Sequence, residues 1–121
     1  MEPVRTTEQL DAALALPVAV LFKHSPRCGT SAWAHRQVER YEEGDGAAPV
    51  FLVDVVRCRD VSDEVARRLE IRHESPQAIV LAGGTPVWHG SHGRLSTATV
   101  DAAVRGAADG RSDGHQAGAG G

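Results

Sequence analysis

From Thr7 to Ala15, the apolar residues Leu10, Ala13 and Leu14 recur at helical spacing, and Thr6 or Thr7 stands where a cap belongs. This predicts a first helix, which Pro17 ends. The pattern then changes: Val18 to Phe22 is an unbroken apolar run, the mark of a strand buried on both faces. Lys23 to Thr30 carries the breakers Ser25, Pro26 and Gly29 and is predicted to be a loop. Ala34, Val38 and Tyr41 set a helical stripe over about Ser31 to Tyr41, and Glu42 to Pro49 is a polar, glycine-rich turn. Val50 to Val56 reads as a second apolar strand interrupted by Asp54. Val61, Val65 and Leu69 form the inner face of a third helix capped by Asp60 or Ser62. Gln77 to Ala82 and Pro86 to His89 form two strands around the hairpin signal Gly83-Gly84, and Thr97 to Ala107 closes as a helix.

The order is therefore α-β-α-β-α-β-β-α. Strand, helix, strand across residues 18–56 requires a right-handed crossover and a parallel pair. The two closing strands, joined by a tight turn, must be antiparallel. An α/β chain with a four-stranded mixed sheet and flanking helices is the thioredoxin-like arrangement. Residues 1–107 are expected to form this one domain. From Ala108 the chain holds no large apolar residue, so 108–121 is expected to be a disordered Gly/Ala-rich tail.

Composition sharpens the picture at three points. Aromatics are only 4% of the 121 residues, so the core must be largely aliphatic. A net charge of −3, from 13 basic and 16 acidic residues, argues against nucleic-acid binding through a broad basic face. The longest nearly apolar stretch, Ala12 to Phe22, is too short to span a bilayer, and the N-terminus lacks the basic start and apolar run of a signal peptide. Two cysteines, Cys28 and Cys58, are too few for a disulfide scaffold. A cytoplasmic protein with no membrane partner is expected, its thiols kept reduced except during redox work.

Cys28 falls just after a predicted buried strand and just before a predicted helix. A thiol there feels unpaired backbone N–H groups and the positive end of the helix dipole. Lys23, Arg27 and His24 are expected to add positive charge. Such settings lower a cysteine pKa from about 8.5 into the 3.5–7.5 range, and the thiolate is the form that attacks disulfides. A free cysteine is often just a small buried hydrophobe, but the polar run His24-Ser25-Pro26-Arg27-Cys28-Gly29-Thr30-Ser31 speaks for exposure. Ser31 occupies the fourth place of what would be a C-x-x-C motif, so no resolving thiol is adjacent. Its hydroxyl is a candidate donor to the thiolate, or a simple helix cap. Ser75-Pro76 heads an apolar strand, where a proline cannot donate to the ladder. In thioredoxin-like folds a cis-proline occupies this point in the order, where the backbone of Ser75 can pair with an extended substrate.

The residues also resemble a known family. Phe22-Lys23-His24-Ser25 with Arg27, Cys28 and Ser31 resembles the F-K-H-S-x-R-C-x-x-S signature of the YtxJ-like monothiol bacilliredoxins. Val53-Asp54-Val55-Val56 with Arg59-Asp60-Val61-Ser62 resembles that family's second strand and helix start. Arg72-His73-Glu74-Ser75-Pro76-Gln77 and Val87-Trp88-His89 with Ser91-His92 resemble its R-H-E-S-P-Q and W-H-x-S-H motifs. The resemblance spans about residues 7–105. It implies an oxidoreductase with no bound cofactor, which removes bacillithiol or a similar low-molecular-weight thiol from S-thiolated client proteins. Cys28 would be its catalytic residue. Lys23, His24, Arg27, Ser31, His73, Ser75 and Pro76 would tune the thiolate or bind substrate. Because bacillithiol bears carboxylates, Lys23, Arg27 and Arg72 are candidate contacts to it. Gly29 departs from the proline that members often carry there. Cys58 is no family fixture; past the second parallel strand it is a candidate resolving thiol or a spectator.

His24, His73, His89 and His92 show no metal-ligand spacing, so no metal is expected. His24 and His73 are expected instead to hydrogen-bond near the active rim. Trp33 is expected either beside the pocket or in plain packing, and Trp88 in core or sheet-face packing. The competing functions are a non-catalytic thioredoxin-fold binding or redox-sensing module and, on Thr30 alone, a peroxidase-like thiol protein.

Overall fold

A computed structural model describes residues 1–27, 29–44 and 46–113, with side chains through Asp109. Among these residues, five strands and four α-helices follow in the order β1 (Glu2–Pro3), α1 (Thr7–Leu14), β2 (Val18–His24), α2 (Gly29–Glu43), β3 (Val50–Asp54), α3 (Arg59–Leu69), β4 (Gln77–Ala82), β5 (Thr85–Ser91) and α4 (Thr97–Asp113). A 3₁₀ turn, His92–Arg94, precedes α4. Cys28, Asp45 and 114–121 lie outside the described residues.

The sheet has five strands in the order β1-β3-β2-β4-β5. The expected four are all present, and β1 adds a fifth. It is a two-residue edge strand parallel to β3, too short to carry an alternating pattern. β2 lies parallel to β3 and antiparallel to β4, and β4 pairs antiparallel with β5. Gly83 and Gly84 turn the hairpin at φ +58 and +82, a region that side chains with a Cβ rarely enter.

Local chemistry sets the element ends. Thr6 caps α1 by accepting from the Gln9 N–H, while Gln9 Oε1 accepts from the Thr6 N–H, a reciprocal capping box. The expected cap of α3 is corrected. Cys58 is its N-cap and offers no side-chain hydrogen bond; Asp60 lies within the first turn and Ser62 inside the helix. β3 stops at Asp54 because its Oδ1 turns back to accept from the N–H groups of Val56 and Arg57, both at 2.9 Å. α4 continues to Asp113, past the expected end at Ala107; the expected tail is thus helical at its start, and its remainder lies outside the described residues.

β2 divides the core. Val20 and Phe22 point to one face, against Ala34, Val38 and Tyr41 of α2 and Val100 and Val104 of α4. Ala19 and Leu21 point to the other, against Leu10 and Ala13 of α1 and Val61 and Val65 of α3. Trp88 packs at the margin of the first cluster, and Gly90 is its seat: a Cβ there would lie 2.7 Å from the indole ring.

Candidate active site

The strand expected to stop at Phe22 runs on through Lys23 and His24. The extra length decides the environment of both residues. In strand register Lys23 sits beside Val53 on β3 and Gln77 on β4. It shares the α3-side face with Ala19 and Leu21, and it is completely buried at 0% exposure. It is the chain's single lysine.

A buried ammonium must find acceptors. The Lys23 Nζ donates to the backbone carbonyl of Ser62 in α3 at 3.0 Å and lies 3.1 Å from Nδ1 of His73. Ser62 Oγ is 3.3 Å from the same nitrogen. Burial lowers the Lys23 pKa from 10.5 to about 8, against the opposing pull of Asp63. The loop expectation for Lys23 is therefore corrected. Its charge faces inward, and a fully buried side chain makes no direct contact with a ligand outside. His73 is exposed on its outer side, and its pKa is lowered by burial of the ring and then by the Lys23 charge.

His24, one residue on, points to the opposite face. Its ring centroid lies 4.9 Å from that of His35 and 5.8 Å from that of Phe22. Its Nδ1 is buried without a hydrogen-bond partner among the described residues. Burial first, and then the neighbouring His35, lowers its pKa. The expectation that His24 adds positive charge is thus corrected: its burial and its neighbour His35 disfavour the protonated ring. His35 was not singled out by its sequence context. It sits on α2 one turn past Ser31, and only the strand-to-helix packing brings it to His24.

Ser31 is fully buried in the first turns of α2, and its Oγ accepts from the Ser25 N–H at 3.2 Å. The hydroxyl thereby fastens the loop between β2 and α2. Arg27 and Gly29, which flank Cys28 in sequence, are both exposed. Trp33 is an exposed ring on α2 at 41%.

The segment before β4 is fastened on both sides. His73 is held by Lys23, the Arg72 carbonyl accepts from Gln77 Nε2 at 3.1 Å, and Glu74 Oε1 accepts from Ser91 Oγ at 2.9 Å. The Ser75–Pro76 peptide is cis, Pro76 is buried, and Ser75 Oγ is buried with no partner among the described residues. Arg72 is exposed. Cys58 is half-buried against the α3-side core, its N–H bonded to the Asp54 carbonyl at 2.8 Å.

Between the β3–α3 turn and His73 lies a cleft of about 280 Å³ lined by Val55, Val56, Arg59, Ser62, Asp63 and His73. Of these, all but Asp63 fall within the two motifs already quoted, and the fold alone brings them together. Among the described residues no group of three or more His, Cys, Asp or Glu side chains could hold a metal. Among the described residues no helix is long and apolar enough to cross a membrane.

The chain matches the family model "Monothiol bacilliredoxin BrxC" over residues 2–100. It belongs to the monothiol bacilliredoxin family. Solved structures agree on the fold. A protein described as an oxidoreductase with a thioredoxin fold is 26% identical, with a TM-score of 0.79 over 84% of this chain and 91% of its own. Thioredoxin from Malassezia sympodialis is 15% identical, with a TM-score of 0.71 over 87% and 88% of the two chains. A variant thioredoxin from Halobacterium salinarum is 20% identical, with a TM-score of 0.70 over 87% and 89%. The thioredoxin-like expectation is met, and thiol redox chemistry is the general function that family and fold support.

Proposed function

We propose that this member is a monothiol thiol–disulfide oxidoreductase that frees client proteins from a low-molecular-weight thiol, bacillithiol or a close analogue, through Cys28. It works with no bound cofactor in a reducing, cytoplasmic setting. The Cys28 thiolate attacks the small thiol's sulfur in a mixed disulfide. The bond to the client sulfur breaks, and the client leaves as a thiolate that takes a proton from solvent. A new disulfide joins Cys28 to the small thiol, and an external thiol reduces it.

Ser31 is the observation that carries the reading. A dithiol enzyme would hold its resolving sulfur there. This chain instead has a hydroxyl spent on the Ser25 N–H, so the mixed disulfide waits for an outside thiol. Exposed Arg27 and Arg72 suit an acidic small thiol, whereas Lys23 and His73 act on the loop before Pro76.

The test mixes reduced protein with a client carrying a bacillithiol adduct. Release of the adduct, abolished by Cys28→Ala and retained in Cys58→Ser, is the expected result. Binding of the client without release would instead make the chain a non-catalytic module. Loss of release in Cys58→Ser would make Cys58 a resolving thiol.

A further inference from the structure

We propose that the cleft between the β3–α3 turn and His73 is a binding site for a carboxylate, read by Arg59 together with an Nε2–H that Lys23 holds in place on His73. This rests on the reading above only in naming the acidic end of the small thiol as the natural occupant.

The argument begins with donors and acceptors. An ammonium donates and never accepts. Lys23 Nζ lies 3.1 Å from His73 Nδ1, so Nδ1 must be the bare, accepting nitrogen. A neutral imidazole with a bare Nδ1 carries its proton on Nε2. Nδ1 faces the buried Lys23 and Ser62, which leaves the Nε2–H to the exposed side of a ring that lines the cleft. Lys23 is thus a positioning residue, acting on the cleft through His73.

The second donor is Arg59. Its guanidinium lines the cleft and has no hydrogen bond or ion pair among the described residues. A planar guanidinium fork beside a single N–H matches the two oxygens of a carboxylate. The α3 helix starts beside it with no side-chain cap, so its positive end adds to the same potential. Asp63 is the cleft's one carboxylate; its field acts on Lys23 and His73, so one anion is set against two cations, Lys23 behind the wall and Arg59 in it. Val55 and Val56 supply an apolar wall.

The experiment uses uniformly ¹⁵N-labelled full-length protein at neutral pH, with succinate as probe and succinamide as its uncharged control. Long-range ¹H–¹⁵N spectra should show His73 protonated on Nε2 and bare on Nδ1; the reverse tautomer overturns the positioning role of Lys23. Succinate should give saturable shifts at Val55, Val56, Arg59 and Ser62 that weaken at least tenfold in Arg59→Gln. Absence of saturation, equal shifts with succinamide, or unchanged affinity in Arg59→Gln overturns the site. Exchange with a neutral disulfide is measured in parallel. If exchange persists while succinate fails to bind, the cleft alone is refuted; if succinate binds to a chain that performs no exchange, only the proposed function is.

Discussion

The two faces of the sheet end in opposite ways at the carboxyl end of β2. On the α2 side the aliphatic core rises to Phe22 and is roofed by two histidines, His24 and His35, with ring centroids 4.9 Å apart and planes tilted by 54°. On the α3 side the core rises to Leu21 and is roofed by Lys23, hydrogen-bonded to Ser62 and His73. Adjacent residues of one strand thus place an imidazole in two environments. His24 is held by ring packing with its Nδ1 unbonded; His73 is held by directed bonds with its proton assigned to one nitrogen. Burial depresses both imidazoles; next in weight, His35 lowers His24 and the Lys23 charge lowers His73. The Lys23 ammonium fixes the accepting nitrogen of His73, whereas no partner among the described residues meets the Nδ1 of His24, so the α3 side is the one built to present a defined donor.

Removing the floor of the two-histidine side should produce the largest effect. Phe22 is fully buried and its ring meets both His24 and His35, the latter at 6.1 Å. Phe22→Ala should cost about 3–5 kcal/mol in urea unfolding, the range for a large buried aromatic. His24 should then titrate nearer its ordinary value as water enters. A loss below about 2 kcal/mol would mean the roof is not supported by this ring, and the contrast between the two faces would fail.

A smaller effect tests a polar bond within the same face. Tyr41 is buried, and its hydroxyl accepts from the Ala48 N–H at 3.0 Å, fastening the turn before β3. Tyr41→Phe keeps the ring and leaves a buried N–H unpaired, so it should cost about 1–2 kcal/mol. An unchanged unfolding midpoint would show that the turn rearranges to satisfy Ala48 elsewhere.

The contrast itself was only half legible in the sequence. The starts of α1 and α4 follow from the helical period that one buried face imposes, and strand β4 follows from an unbroken apolar run between breakers, buried on both faces. The end of β2 did not follow, since Lys23 and His24 look like loop residues. Continuing the alternation Ala19, Leu21, Lys23 places the lysine on the α3-side face, but a lone cation gives no reason to extend a strand until its acceptors are known. Those acceptors come from Ser62 and His73, 39 and 50 residues away, which no local pattern can announce. The hydroxyl at position 31 could be read as the missing second thiol, whereas its bond to Ser25 depends on the loop geometry. The cleft was least legible, because it joins a turn, a helix and a distant loop through packing alone.

Lys23→Met gives the smallest change at neutral pH and the sharpest test of the α3 side. Methionine fills nearly the same volume without an ammonium to desolvate. The partners it leaves are not stranded. Ser62's carbonyl lies within α3, where a helical N–H can bond it, and Ser62 Oγ is already 3.3 Å from His73 Nδ1. Stability at pH 7 should therefore move by no more than about 1 kcal/mol. The pH dependence should differ more clearly. The folded-state pKa of Lys23 is about 8 against 10.5 for the free side chain, so between those values the unfolded chain binds more protons than the folded one. Stability then rises with pH across that window. The parent protein should gain on the Met variant from about pH 8 to about 10.5, and the two curves should run parallel from neutral pH up to that window. The His73 pKa should also rise in the variant, because a repelling charge has gone. Parallel unfolding curves throughout, with His73 titrating unchanged, would show that Lys23 merely fills space and would reduce the two faces of β2 to equivalents.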